Sequence, residues 1–506
     1  MGVEAEIRRE ARRLIVRHET QARLLAEGSV RRALRTTDPQ PSLRTKRPSS
    51  WELDDGFNPY LARARASRIA HSIRARLRDR TYQPRNPVRF SVEKPDATSR
   101  EVCIYQVADS AVSKMLFEGI LRKNLPILSA RAYAYRKDVS AQDAIQYVRS
   151  EFTRHSRLFV AEYDFTKYFD TIDHDHIRRI LFNHFLLTEI EKRAIEGFLR
   201  VAPSDSSSYT SLGGNPRESG IPQGTSISLF LANVAAWELD RGLEQIGVGF
   251  VRYADDTLLW SADYGRICEA VRLLHEHAEK IGVNVNLEKS PGVRLLVPPG
   301  AETEIQSTDS VDYLGYRLGL GSTTLKDAAI ARVKKRIDQL TYWGLLHEPI
   351  HKKQNPCRFA GNVDRDYVSV IWRIRRYLYG DLSEKAVRRY QRREAPLRRF
   401  RGVMSAYPLI DDCEELADLD TWILDKLFLS VRKRTVLLEE QGLGSALPPP
   451  HYLPRSGLRT LETIGTTTGQ TIDLSVPSVR RIAAVIRSAA AQHGPSVVGR
   501  AEVYDY

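Results

Sequence analysis

The chain has 506 residues, a formal net charge of +14 and a pI near 9.5. That length holds about two or three domains with cores of their own, and 42% hydrophobic with 28% charged residues excludes a disordered or fibrous chain. The excess of Lys and Arg favours a polyanionic partner, and no run of about 18 apolar residues is available for a membrane-spanning helix.

Residues 1 to about 37 combine Arg and Glu with Leu, Ile and Val at helical intervals, which predicts a charged helix or helix pair ended by Asp38-Pro39-Gln40-Pro41-Ser42. This start has no apolar h-region, so no secretory signal is expected. An amphipathic helix is predicted over 58–80. Strands over Phe90–Glu93 and Glu101–Tyr105 flank a polar turn, and a helix follows near 109–123. The run from Arg157 to Phe165 is apolar and β-prone and delivers an acid, Asp164, at its end. Residues 174–200 are expected to be helical, with Asp173 as an N-cap, and 203–215 to form a mobile Ser- and Gly-rich loop. Gly220-Ile221-Pro222-Gln223-Gly224-Thr225-Ser226 is turn-rich and leads into a helix over 226–245.

Two short apolar runs, Val248–Val251 and Thr257–Trp260, enclose Tyr253-Ala254-Asp255-Asp256, which predicts a β-hairpin with two carboxylates at its tip. Such carboxylates repel unless cations neutralise them, so the segment points to a divalent metal site for phosphoryl transfer; a solvated turn is the plainer alternative. Ile267, Val271, Leu274, Ala278 and Ile281 mark one face of the next helix, which Gly282 closes, and Lys289 follows a short strand. Strands and helices mix without a βαβ repeat, so the expected class is α+β with an antiparallel sheet. Beyond about 323 the pattern is mainly helical. Ten arginines between Arg373 and Arg401 interleave with Trp372, Tyr377, Tyr379, Tyr390 and Phe400, as phosphate and base contacts require, although a solvated helical face has the same composition. Residues 441–470 are rich in Gly, Pro and Thr and suggest a linker before a short helix near Ser478–Gln492. The cysteines Cys103, Cys268, Cys357 and Cys413 show neither a zinc spacing nor a disulfide framework, which suits a reducing cytoplasm.

The succession of Asp164, Pro222-Gln223-Gly224, Tyr253-Ala254-Asp255-Asp256, Lys289 and Tyr313-Leu314-Gly315-Tyr316 resembles reverse transcriptases over roughly residues 50 to 435. The resemblance is to bacterial members, closest to the unknown-group and abortive-infection enzymes of antiphage defence. It implies a right-hand polymerase fold: an N-terminal helical extension (1–50), fingers (51–156), a palm with an antiparallel sheet (157–322), a helical thumb (323–440), and a linker with a C-terminal extension (441–506). It implies RNA-directed DNA synthesis from dNTPs with two Mg2+ ions, or Mn2+ in their place. Asp164, Asp255 and Asp256, with the backbone carbonyl of Phe165, would be the metal ligands; Asp170 and Asp173 are nearby alternatives. Lys289 would donate a proton to pyrophosphate, or is a surface lysine. Phe169 would exclude a ribose 2′-hydroxyl, or is a core aromatic. Gln223 would lie beside the incoming nucleotide. Lys94 and Arg100 would grip its triphosphate, or are solvated hairpin charges. Arg136 and Tyr253 would contact template or primer, and Leu314 and Gly315 would belong to a primer grip.

Partners implied by the resemblance are an RNA template, in the form of a structured non-coding RNA, and the DNA product, with homo-oligomerisation left open and no membrane. A retron-like or domesticated group II intron enzyme is the runner-up. A catalytically idle RNA-binding scaffold and an RNA-synthesising enzyme are the readings of other classes. Some related enzymes prime on a protein hydroxyl, which draws attention to Tyr504 and Tyr506, though a plain chain end is the ordinary reading.

Overall fold

A computed structural model describes residues 2–38, 45–93, 99–395, 399–444, 447–464 and 471–499. Lys94, Tyr504 and Tyr506 lie outside the described residues, as does the side chain of Arg100. The centre is a five-stranded sheet of β1 (Leu158–Tyr163), β2 (Gly249–Tyr253), β3 (Asp256–Ser261), β4 (Gly292–Leu296) and β5 (Ser307–Thr308). Its order is β5-β4-β1-β3-β2, antiparallel except for the short β5–β4 pair.

The period-2 pattern of β1 decides what each face meets. Phe159, Ala161 and Tyr163 pack with Phe250 and Leu259 against helices that include His174–His184, Ser226–Ala235 and Tyr264–Lys280. Leu158 and Val160 pack with Val251, Leu258, Trp260 and Leu296 into a second core shared with the C-terminal helices. Further along that second face the apolar residues give way to Glu162 and then to Asp164, just past the strand end. Stripping apolar side chains from one end of a face leaves it open to solvent and ligand while the other end stays cemented in the core.

Several expected helices are broken in two. Residues 58–80 form Pro59–Ala64 and Ala66–Arg78; 174–200 form His174–His184 and Glu189–Arg200; 226–245 form Ser226–Ala235 and Trp237–Ile246. The loop at 203–215 contributes Ser204–Asp205 as a parallel partner to the strand Val88–Glu93, and that strand pairs antiparallel with Ser99–Ile104. Residues 441–470 do not behave as a linker over their described part. His451 and Leu458 are buried, and the helix Val479–His493 joins the core that holds Arg365–Tyr379 and Glu414–Glu439. Proline density misleads here because the segment is pinned by Arg432, which donates to His451 O at 2.7 Å and Leu453 O at 3.0 Å, and by the buried Asp364, which meets His451 at 3.0 Å.

The N-terminal helix is single, Val3–Ala33. Val3, Ile7 and Ala11 are buried where it packs on Pro59–Ala64, Ala66–Arg78 and Val107–Asn124. Its far end is tied to a different part of the chain: Arg35 donates to the Trp343 carbonyl at 2.9 Å, Thr37 N to Lys353 O at 2.8 Å, and Asn355 N to Arg35 O at 2.9 Å.

Within the first core, Asp109 is buried and accepts hydrogen bonds from the Tyr82 hydroxyl at 2.7 Å and from Arg85 N at 3.0 Å. Burial holds its carboxyl up at about 6 from an ordinary 3.8, although both hydrogen bonds pull the other way. Between these values the folded protein keeps a proton that the unfolded chain has lost. Its stability therefore falls as pH rises through this window and stays lower above it. The parent is expected to lose up to about 3 kcal/mol relative to Asp109→Asn between pH 4 and 7, measurable as urea midpoints across that range.

Candidate active site

The hairpin forms where the alternation predicts it. Tyr253 pairs with Asp256, so Ala254 and Asp255 are a two-residue loop. Ala254 takes φ +62°, a left-handed conformation that an alanine adopts only when its surroundings impose it. The imposing group is Arg252. Its guanidinium donates to the Ala254 carbonyl at 2.9 Å and forms a two-pronged pair with Asp240 at 2.7 and 2.6 Å, both residues being buried. A second anchor comes from Tyr313, whose buried hydroxyl lies 3.3 Å from Asp256 O and 3.4 Å from Val251 O.

Register brings the acids together. Tyr163 pairs with Thr257, so Asp164 leaves β1 opposite Asp256 at the start of β3. Asp164 is held by the chain that follows the long helix Tyr264–Lys280. Its backbone N donates to Ser290 Oγ at 3.2 Å, and its carbonyl accepts from Asn286 N at 2.8 Å. Its carboxylate meets Lys289 Nζ at 2.9 Å. That contact, together with the negative charges of Asp255 and Asp256, raises the lysine's pKa and keeps it an ammonium. Burial, then Asp255 and Asp164, push the Asp256 carboxyl up to about 7. A carboxyl raised by burial and by two neighbouring acids is one that a nearby cation would favour in its charged form.

Hard carboxylate oxygens are the donors that Mg2+ prefers. Among the described residues, no group of three or more His, Cys, Asp or Glu side chains is drawn together closely enough to hold a metal ion by itself. Mg2+ commonly keeps several waters and takes one or two carboxylates together with substrate phosphates, so an open donor set suits it.

The segments that carry Gln223 and Phe169 also meet. Ile221 N donates to Phe169 O at 2.5 Å, and Gln223 Nε2 donates to Asp170 Oδ1 at 2.9 Å. Gln223 O accepts from Cys103 N, on the strand that carries Arg100. Gly224, with φ +110°, lets this happen, since a Cβ there would lie 2.0 Å from the Cys103 carbonyl oxygen. Phe169 is half-buried and packs edge-on to Tyr168, while Phe165 is buried and stacks on Tyr168 at 5.6 Å. Tyr313-Leu314-Gly315-Tyr316 is a second tight hairpin, with Leu314 and Gly315 both at positive φ and Tyr313 paired with Tyr316.

Two expected positions do other work. Arg136 is buried and turned inward: it pairs with Asp138 at 2.6 Å and donates to Ser129 O at 2.5 Å, so its donors are occupied inside its own loop and not presented to a template. Asp173 caps its helix by accepting from His176 N at 2.8 Å and is not an alternative to Asp164. Conversely, Arg252, Asp240 and Tyr313 were not singled out from sequence as supports of the hairpin. The available signal was an arginine inside the apolar run Phe250-Val251-Arg252, a charge that burial permits only beside a partner.

Residues 92–318 match the family model described as reverse transcriptase (RNA-dependent DNA polymerase). The chain carries a reverse transcriptase domain. The α+β architecture expected for this domain is the one observed, with an antiparallel sheet that presents acids at one edge of a face and helices around it. No curated protein matches the chain. Among solved structures, it is similar to telomerase from Candida albicans in complex with a TWJ fragment of telomeric RNA: TM-score 0.37, 11% identity, 73% of this chain and 65% of that one. It is also similar to apo telomerase from Candida tropicalis: TM-score 0.37, 10% identity, 72% of this chain and 60% of that one. The chain thus spans less than two thirds of the length of these relatives. Among the described residues, no helix is long and apolar enough to cross a membrane.

Proposed function

We propose that the protein is an RNA-directed DNA polymerase that extends a primer 3′-hydroxyl with dNTPs. The observation that carries this reading is the register of β1 on β3, which sets Asp164 opposite Asp256 beside the Asp255 turn. Asp164, Asp255 and Asp256, with the Phe165 carbonyl, would hold two Mg2+ ions (or Mn2+), which lower the pKa of the attacking hydroxyl and offset charge on the leaving pyrophosphate. Lys289, paired with Asp164, would give a proton to the departing pyrophosphate. Gln223 and Gly224 would form the backbone wall against which the nucleotide lies, and Arg100, a residue of the adjoining strand, would grip its triphosphate. The hairpin at Leu314 and Gly315 would hold the primer end, with Tyr253 beside it, and its Tyr313 couples it to the acids. Primer extension on an RNA template, run beside Asp255→Ala, tests the reading, which equal incorporation by the two proteins removes.

Phe169 would select deoxynucleotides by filling the space of a 2′-hydroxyl. Phe169→Ala is expected to raise rUTP incorporation relative to dTTP by about 10- to 100-fold, read from single-nucleotide kcat/KM values. An unchanged ratio assigns Phe169 to the core alone.

For biological role, the form of Gly220-Ile221-Pro222-Gln223-Gly224-Thr225-Ser226 supports a bacterial, cytoplasmic defence enzyme that copies a structured non-coding RNA. Sequencing of RNA that co-purifies with the native protein tests this, and recovery of random cellular RNA counts against it.

A further inference from the structure

Of the arginines and aromatics between Trp372 and Arg401, three are used internally. Tyr379 and Phe400 are buried, and Arg375 is turned inward onto Asp473 and the Ser475 carbonyl, at 3.1 and 2.8 Å. Among the exposed side chains of this stretch, Trp372, Arg376 and Arg401 stand together. All three line one cleft of about 560 Å³ at the C-terminal end of the helix Arg365–Tyr379. We infer that this cleft is a binding site for an unpaired nucleotide of single-stranded nucleic acid, its base stacked on Trp372 and its phosphates held by Arg376 and Arg401. The inference rests on the nucleic-acid reading above and narrows it to one place.

Trp372 is 53% exposed, an unusual state for the largest apolar side chain, since covering it would be worth more than covering almost any other residue. One face of a helix also places Trp372 and Arg376 together, four residues apart. Neither Arg376 nor Arg401 makes an ion pair with a described residue, and neither guanidinium covers the indole, so ring and charges are both available. Among the described residues lining the cleft, Asp381 is the single carboxylate, against the guanidiniums of Arg375, Arg376 and Arg401. The buried Leu382 lines it as well.

The cleft is built rather than incidental. Gly380 ends the helix at φ +75° and Gly402 sits at φ +85°. A Cβ on Gly402 would stand 2.5 Å from the Leu378 carbonyl, and one on Gly380 2.4 Å from the Arg401 Cβ. Two backbones pressed together at glycines fix Arg401 beside the helix end, while Phe400 below it is buried and tied through its N–H to Val498 O at 3.0 Å. An indole face with flanking guanidiniums is the combination that binds single strands without regard to sequence, because every base has a π-face and every nucleotide a phosphate. A duplex hides its base faces and offers only phosphates.

Fluorescence anisotropy with a labelled oligouridylate of 12 nucleotides and, separately, a blunt RNA duplex of 12 base pairs tests the site on the full chain. Trp372→Ala is expected to weaken single-strand binding by about tenfold or more, with duplex binding within twofold of the parent and with Trp372→Phe restoring most of the loss. Arg376→Ala/Arg401→Ala should lower the dependence of log affinity on log salt by about 1.4, for two single-strand phosphate contacts. A single-strand loss below fivefold for Trp372→Ala, or an equal loss for the duplex, overturns the inference. Because the readout is binding, absence of primer extension by the parent would sink the polymerase reading and leave this result standing.

Discussion

Asp255→Ala is expected to reduce dNTP incorporation by at least about 10³-fold, since a lost metal ligand removes several kcal/mol of transition-state charge stabilisation and each 1.4 kcal/mol is tenfold. Asp164→Ala should do the same. Neither change should cost much stability, because both carboxylates sit in a cluster of like charge that folding does not favour: Asp256 is pushed toward neutrality by burial and by these two neighbours. Removing Asp255 should therefore leave the melting temperature in metal-free buffer unchanged or raised, while the increase that Mg2+ gives the parent disappears. The two readings together separate a ligand from a residue that only supports the fold. A variant that loses both activity and several degrees of stability would place Asp255 among the structural residues.

Arg252 should show the opposite pairing of effects. It is buried, linked to Asp240 by two short hydrogen bonds and to the Ala254 carbonyl by a third. Arg252→Met strands Asp240 as an uncompensated buried charge, which costs about 3–5 kcal/mol. It also frees the left-handed turn that aims Asp255, and a misplacement of about 1 Å at a reacting group can cost on the order of 10²-fold in rate. The double variant Arg252→Met/Asp240→Leu removes both charges together and is expected to recover most of the stability, as measured by urea denaturation. Its activity should remain low, because nothing then grips Ala254. Recovery of both properties would show that the arginine acts through stability alone.

How far the sequence carried the reading depended on the physics of each segment. The acid-bearing strand and hairpin were legible because two-residue alternation is local: apolar runs broken by a polar pair leave few conformations open. The helix over Tyr264–Lys280 was legible for the same reason at another period. The breaks at Arg65, Phe185 and Ala236 were not, since residues with fair helix propensity surround them and packing sets the direction changes. The linker reading does not fit the described part of 441–470, where Arg432 and the distant Asp364 supply contacts to His451 and Leu453 that composition cannot register. Arg136 illustrates the limit for a functional residue. A motif position predicts where a side chain begins, whereas Asp138 and two backbone carbonyls decide where its charge ends.

The helix Val3–Ala33 has a mechanical consequence. At about 1.5 Å per residue, its 31 residues make a rod of roughly 46 Å. One end is cemented among the helices before Asn124, and the other is stitched to the backbone between Trp343 and Asn355. A strut fastened at both ends resists stretching far more than pivoting. The two regions it joins are thus held at a separation set by the length of the rod.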